Sequence, residues 1–316
     1  MSRTLQFALP SALAALLLAA FAAARPSAPR QSDSIPQFIA APDQTPLAPA
    51  EVHDLVARAI ANQHRDDAAL DTFGRVEHHV ERNGGSDGRI TEDKTYRVVP
   101  TGSGNIKILV KDSSTPVSAA NYQHDLNTWQ SILNVAVHPD DPRQVSAVAK
   151  QQKKLKDRAH LVDAAFDAYT MTWLERDTLN GRTIEKLHFE PNPRYLQQGN
   201  MADWLVHARA NVWIDAQAAE VVRVEAEIIR DISIGAGILG KVYKGGHFIL
   251  EQAEAAPGIW EPTLYEYDLS GRKFLFPFKM RERTEASRYR FIGTPDKALA
   301  IARKDLSVGG SYVSDP

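Results

Sequence analysis

The chain has no cysteine, which excludes a disulfide framework, a CxxC metal site and a lipid-modified N-terminal cysteine. Charge of either sign is scarce in excess: 37 Lys and Arg stand against 39 Asp and Glu, a net of −2. A general nucleic-acid binder would carry a basic surplus or stripe. Long hydrophobic runs are missing too, since the stretch Ala12–Ala24 falls short of the roughly 20 apolar residues that span a bilayer. No HExxH spacing occurs, and the GxSxG and SxxK letters at Gly84–Gly88 and Ser270–Lys273 fall in expected turns between strands rather than at a strand-to-helix elbow, so no hydrolase signature is read. Gly235-Ala236-Gly237-Ile238-Leu239-Gly240 imitates a GxGxxG loop, but it lies between strands and opens no helix, which argues against a dinucleotide site. It reads as a turn or a flap. No cofactor, no metal and no enzymatic activity are expected.

What is present begins with an export signal. Arg3 precedes the apolar run, and Ala22-x-Ala24 supplies small residues at a cleavage point before Arg25, so residues 1–24 are expected to be a cleaved signal peptide that sends the chain to the periplasm. Residues 25–49 are rich in proline among Ser, Gln and Ala and suit a disordered lead-in. A single domain over 50–306 should follow, then a flexible tail over 307–316.

Inside that domain the hydrophobic period alternates between two and three-to-four. Val52, Leu55, Val56, Ala59 and Ile60 predict a helix over 50–64 behind Pro49. Strands follow over 73–82, 93–99 and 106–111, separated by glycine-rich turns. A helical insertion over 119–166 contains one helix with Tyr122, Leu126, Trp129 and Leu133 inward. Its second helix is opened by Asp141-Pro142 and carries Lys150, Lys153, Lys154, Lys156 and Arg158 on a basic face. Strands resume at 168–176 and 182–190 around the hairpin signal Asn180-Gly181. The plainest hairpin runs from Trp204 to Asp231: Val206, Ala208, Ala210, Val212 and Ile214 alternate with His207, Arg209, Asn211 and Trp213, and Val222, Val224, Ala226 and Ile228 alternate with Arg223, Glu225 and Glu227. Further strands are expected over 241–252, 259–269 and 273–285, the last two turning at Ser270-Gly271, before a short helix from Thr294-Pro295 to Lys304. The expected class is α+β: a strongly curved antiparallel sheet of about ten strands, an unclosed β-barrel, wrapped around two or three helices.

Trp213-Ile214-Asp215 followed by Val221-Val222-Arg223-Val224-Glu225, and later Gly258-Ile259-Trp260-Glu261-Pro262 with Tyr265-Glu266-Tyr267, resembles the bacterial outer-membrane lipoprotein-sorting proteins. These comprise the periplasmic lipoprotein carriers, their receptors and the related sigma-factor regulatory proteins. The resemblance covers about Ala168 to Glu285. It implies an unclosed barrel with a hydrophobic cavity that shields acyl chains, and the missing cysteine matches the soluble carrier branch. The chain is longer than the usual carrier, and no motif places the carriers' functional arginine.

The residues proposed for such a cavity are the apolar strand faces: Val212, Ile214, Val222, Val224, Phe248, Leu250, Trp260, Leu264, Phe274 and Phe276. They would bind a lipid or lipoprotein acyl chain, at about 0.8 kcal/mol per buried methylene, or else form an ordinary core around the helices. The competing reading is a sensory or scaffolding module that contacts an envelope protein through the same fold. Glu77, His79 and Glu81 share one side of a strand, as do His188 and Glu190, and these pairs read as exposed polar faces.

Overall fold

The computed structural model describes residues 37–85, 87–195, 205–234 and 239–309. The expected signal peptide, the start of the expected lead-in, Trp204, residues 235–238 of the Gly235–Gly240 loop and the end of the expected tail lie outside the described residues.

Helix α1 (Pro49–Ala69) begins at a proline whose missing N–H costs nothing in a first turn. Glu51 turns back to accept from the Ala48 N–H at 2.7 Å. It runs five residues past the expected end because the polar Asp66 and Asp67 are buried on its inner side. Arg158 reaches Asp67 at 2.5 Å, and Arg65 reaches Asp66 at 2.9 Å. A stripe that ends in paired carboxylates looks like a helix end in sequence.

The strands are β1 (Ile39–Ala40), β2 (Phe73–Asn83), β3 (Arg89–Pro100), β4 (Asn105–Asp112), β5 (Thr115–Pro116), β6 (Tyr169–Leu179), β7 (Arg182–Pro191), β8 (Ala208–Asp215), β9 (Glu220–Ile228), β10 (Ile232–Ile234), β11 (Gly240–Val242), β12 (His247–Ala256), β13 (Ile259–Lys273) and β14 (Phe276–Phe291). They form one antiparallel sheet of 14 strands in the order β1-β6-β7-β8-β9-β12-β13-β14-β2-β3-β4-β5, with β10 and β11 set beside β13. The sheet does not close, and it begins and ends in strands of two residues. The count exceeds ten because short strands carry too little periodicity to be read in advance.

The remaining helices are α2 (Ala119–Ala136), α3 (Pro142–Ala168) and α4 (Pro295–Val308). Helices α1 and α3 lie in the hollow of the sheet, against Leu187, Phe189, Val212 and Ile214. Helices α2 and α4 pack together over Val99, Ile108 and Val110. Successive strand residues point to opposite faces. Tyr96 sits opposite Glu77 in β2, whereas Arg97 donates to Tyr122 of α2 at 2.8 Å and to Asp305 of α4 at 2.6 Å. The two helix pairs therefore cover opposite faces of the sheet, and only α1 and α3 occupy its hollow. Among the described residues no helix is long and apolar enough to cross a membrane.

One turn follows expectation and one departs from it. Asn180-Gly181 makes its two-residue hairpin with both φ angles positive, 51° and 78°, as a type I′ turn requires. Ser270-Gly271, however, lies within β13, and the chain reverses at Phe274-Leu275. Gly271 is there for closeness: a Cβ on it would meet the Lys241 carbonyl oxygen at 2.2 Å and the Phe278 ring at 2.9 Å.

Candidate functional site

Between α1, α3 and the sheet lies a cavity of about 150 Å³. Val56, Ala59 and Ile60 of α1 form one wall, and Val162, Ala165 and Phe166 of α3 form another. Phe189, Ala208, Ala210, Val212, Ile214, Val221, Val224, Ala226 and Leu250 form the sheet wall. The sheet wall contains several alanines, and facing positions without long side chains leave space that the helices do not fill. An apolar space of this size stays dry and accepts a small apolar body.

One end of the cavity is polar. Gln63, Arg158, Gln252 and Tyr265 join the lining there. Asp67 accepts from Gln63 at 2.7 Å and pairs with Arg158 at 2.5 Å. The neighbouring Glu261 is 1% exposed. Burial is the main reason its carboxyl is pushed up to about 8; Asp66 and Asp67 push the same way, and Arg75 and Arg158 only partly oppose them. Burial alone would also raise Glu77, but Arg75 at 2.7 Å and Lys107 at 2.7 Å outweigh it and hold that carboxyl at about 2. Several buried polar atoms near this end have no protein partner, among them Arg158 Nε, Gln252 Oε1 and Glu261 Oε1. Donors and acceptors left bare at the end of an apolar cavity can hold the polar head of an amphiphile or ordered water.

The structure gathers four of the expected cavity residues at this lining: Val212, Ile214, Val224 and Leu250. Phe248 is buried two residues from Leu250, opposite Ala226, on the same face. The others lie elsewhere. Val222 was expected beside Val224, but a bulge breaks the β8–β9 register: Trp213 pairs with Arg223 and Ile214 with Val221. The extra residue turns Val222 outward and presents Val221 to the cavity. Val222 then joins Ile184, Trp213 and Trp260 in a second cluster. There the Lys186 ammonium lies 4.9 Å from the Trp213 ring and the Arg182 guanidinium 5.3 Å from that of Trp260. Leu264 opposes Glu251, the partner of Arg223, and so faces outward with it. Phe274 and Phe276 sit with Leu275 at the tip of the β13–β14 hairpin, 45%, 77% and 87% exposed in the order Phe274, Phe276, Leu275. They lie outside the cavity because the turn falls four residues later than Ser270-Gly271.

The Trp213-Ile214-Asp215 corner has a structural task. Asp215 is 1% exposed, accepts from the Gln217 and Ala218 N–H groups at 2.9 and 2.7 Å, and takes Arg182 at 2.9 Å.

No protein-family profile matches the chain, and no curated protein matches it. Several solved structures are similar, two of them as follows. One is a DUF1329 family protein from Desulfovibrio piger, at 12% identity and a TM-score of 0.27, over 76% of this chain and 93% of that one. The other, from Vibrio parahaemolyticus, is described as an outer membrane lipoprotein-sorting protein domain; identity is 8% and the TM-score 0.30, over 78% and 99%. Both likenesses are distant.

The helix side of the cavity was only half legible. The stripe Val56, Ala59, Ile60 marks a buried face, but not an incompletely filled one. Arg158 belongs by spacing to the basic face of α3, yet it turns inward to Asp67. On the outer part of that face Lys153 pairs with Asp157 at 2.6 Å. His188 of β7 bonds Glu190 and Asn211 of β8, with five strands between β7 and His79 in β2, so the two His/Glu pairs do not meet.

Proposed function

We propose that the protein is a non-catalytic binder of an amphiphile, a lipid or the acyl chain of a lipoprotein, that works in the periplasm. The observation that carries this is the cavity itself: a nearly wholly apolar space held between two helices and a sheet, with bare hydrogen-bonding atoms at one end. A tail in the apolar part gains about 0.8 kcal/mol per buried methylene. A head at the polar end gives Arg158 Nε and Gln252 Oε1 the partners they lack. At about 150 Å³ the space is smaller than the usual 300 Å³ or more of a ligand pocket, so a full chain enters only as α1 and α3 part from the sheet. The export signal and the resemblance of the Trp213 corner to lipoprotein-sorting proteins agree with this reading.

Extraction of the purified protein with organic solvent, followed by mass spectrometry, should recover a stoichiometric lipid. A fluorescent fatty acid should bind, and Ala210→Phe, which fills the cavity from the sheet side, should weaken it at least about tenfold at a stability cost of roughly 1–3 kcal/mol. A lipid-free extract together with a fatty acid that ignores the protein would sink the proposal.

A further inference from the structure

Away from the cavity, strand register places three glutamates in a row. Glu282 of β14 is directly opposite Glu81 of β2, and Glu81 is directly opposite Glu92 of β3. Like charges directly across a sheet repel, and nothing in the separate strand sequences forces this alignment. His79 lies two residues from Glu81, on the same face. The ligand atoms of His79, Glu81 and Glu92 all fall within 4.8 Å of one another. The imidazole is 4% exposed. Its Nδ1 is engaged, 3.0 Å from Thr284 Oγ1 and 3.3 Å from Glu282 Oε1, while its Nε2 is buried with no partner. One ring nitrogen held by a carboxylate and a hydroxyl, with the other left bare beside two carboxylates, is how a metal-binding histidine is oriented.

We propose that His79 Nε2, Glu81 and Glu92 bind one divalent transition-metal ion of the zinc class, with Glu282 and Thr284 orienting the imidazole. An imidazole with two carboxylates suits a zinc-class ion better than the all-oxygen sets of Mg²⁺ or Ca²⁺. Three protein ligands leave a fourth position for water or a ligand oxygen. Of the cations on this face, Lys107 pairs with Glu77 at 2.7 Å and Lys94 approaches Asp112 at 3.8 Å. Glu81 is half-buried and lies near the β2–β3 turn, so an ion can reach the site from that rim. The bound ion neutralises the glutamate row and ties β2 to β3, with β14 joined through Glu282 on the imidazole.

The test is zinc titration of the full chain by calorimetry, with thermal melting alongside. The expected result is about one Zn²⁺ per chain, a raised melting temperature, and a much weaker response to Mg²⁺. His79→Gln and the double change Glu81→Gln, Glu92→Gln should each lower zinc affinity by at least about tenfold. His188→Gln, which removes a histidine that also has a glutamate neighbour, should leave it unchanged. If His79→Gln does not fold, Glu81→Gln alone carries the test, because that side chain is half-buried. Absence of a stoichiometric ion, wild-type affinity in the glutamate variants, or loss of binding in His188→Gln would each overturn the assignment. Lipid extraction is a separate measurement, so the failure of one proposal leaves the other standing.

Discussion

Glu261 is the residue whose ionisation the fold opposes most plainly. Its carboxyl moves from 4.5 to about 8, chiefly through burial. Between those values the folded chain holds a proton that the unfolded chain has released, so this residue makes stability fall as pH rises from about 4.5 to 8, by up to roughly 1.4 kcal/mol per pH unit. Glu220, raised to about 7 by burial and by Asp66, acts in the same direction. His79, lowered to about 4 by burial and by Lys107, acts oppositely, because its contribution grows as pH rises from about 4 to 6.5. Glu261→Gln keeps the size of the side chain and removes the charge. Urea unfolding at pH 5, 7 and 9 should show the variant losing distinctly less stability over that range than the wild type; parallel losses would mean that Glu261 ionises without cost.

At the scale of elements, the β13–β14 hairpin makes the sharpest contrast between sequence and structure. Phe274 adopts φ of 54°, a region that costs a side-chain-bearing residue roughly 1–2 kcal/mol. Because the tip is exposed, Phe274→Gly should raise stability by about 1 kcal/mol in chemical denaturation. Fatty-acid affinity should change less than about twofold, whereas a large loss would place the tip in the ligand's path. The turn escapes sequence reading because Phe274-Leu275 contains no turn residue, while Ser270-Gly271 four positions earlier looks like one and is wanted for close approach. The β8–β9 bulge is hidden for a related reason: Val222, Val224 and Ala226 alternate without a flaw, and the extra residue exists only relative to the partner strand. By contrast, Pro49, Asp141-Pro142, Thr294-Pro295 and Asn180-Gly181 announce their helices and turn, because those signals are local. The row Glu282, Glu81, Glu92 is set by the pairing of strands some two hundred residues apart. No local pattern could have brought it together.

For the whole molecule, the sheet gathers separate apolar clusters, one under α1 and α3 and another under α2 and α4. On the hollow side, the stretch of β2 around Arg75, Glu77 and His79 is buried and polar. A sheet of 14 strands that never meets itself also has two flanks on which further backbone could add. Each is covered by two residues. On one side Ile39–Ala40 pairs with β6, continued by the Ala41 N–H donating to the Arg176 carbonyl at 2.9 Å and followed by Pro42. On the other, Thr115–Pro116 pairs with β4, and the proline has no N–H to offer a newcomer. These short segments act as terminators of chain-to-chain growth. A variant that begins at Gln44 should show concentration-dependent association in sedimentation experiments where the longer chain does not, with β6 of one copy seeking the same edge on the next. In that respect the two residues of β1 decide whether neighbouring copies stay separate or start a ribbon.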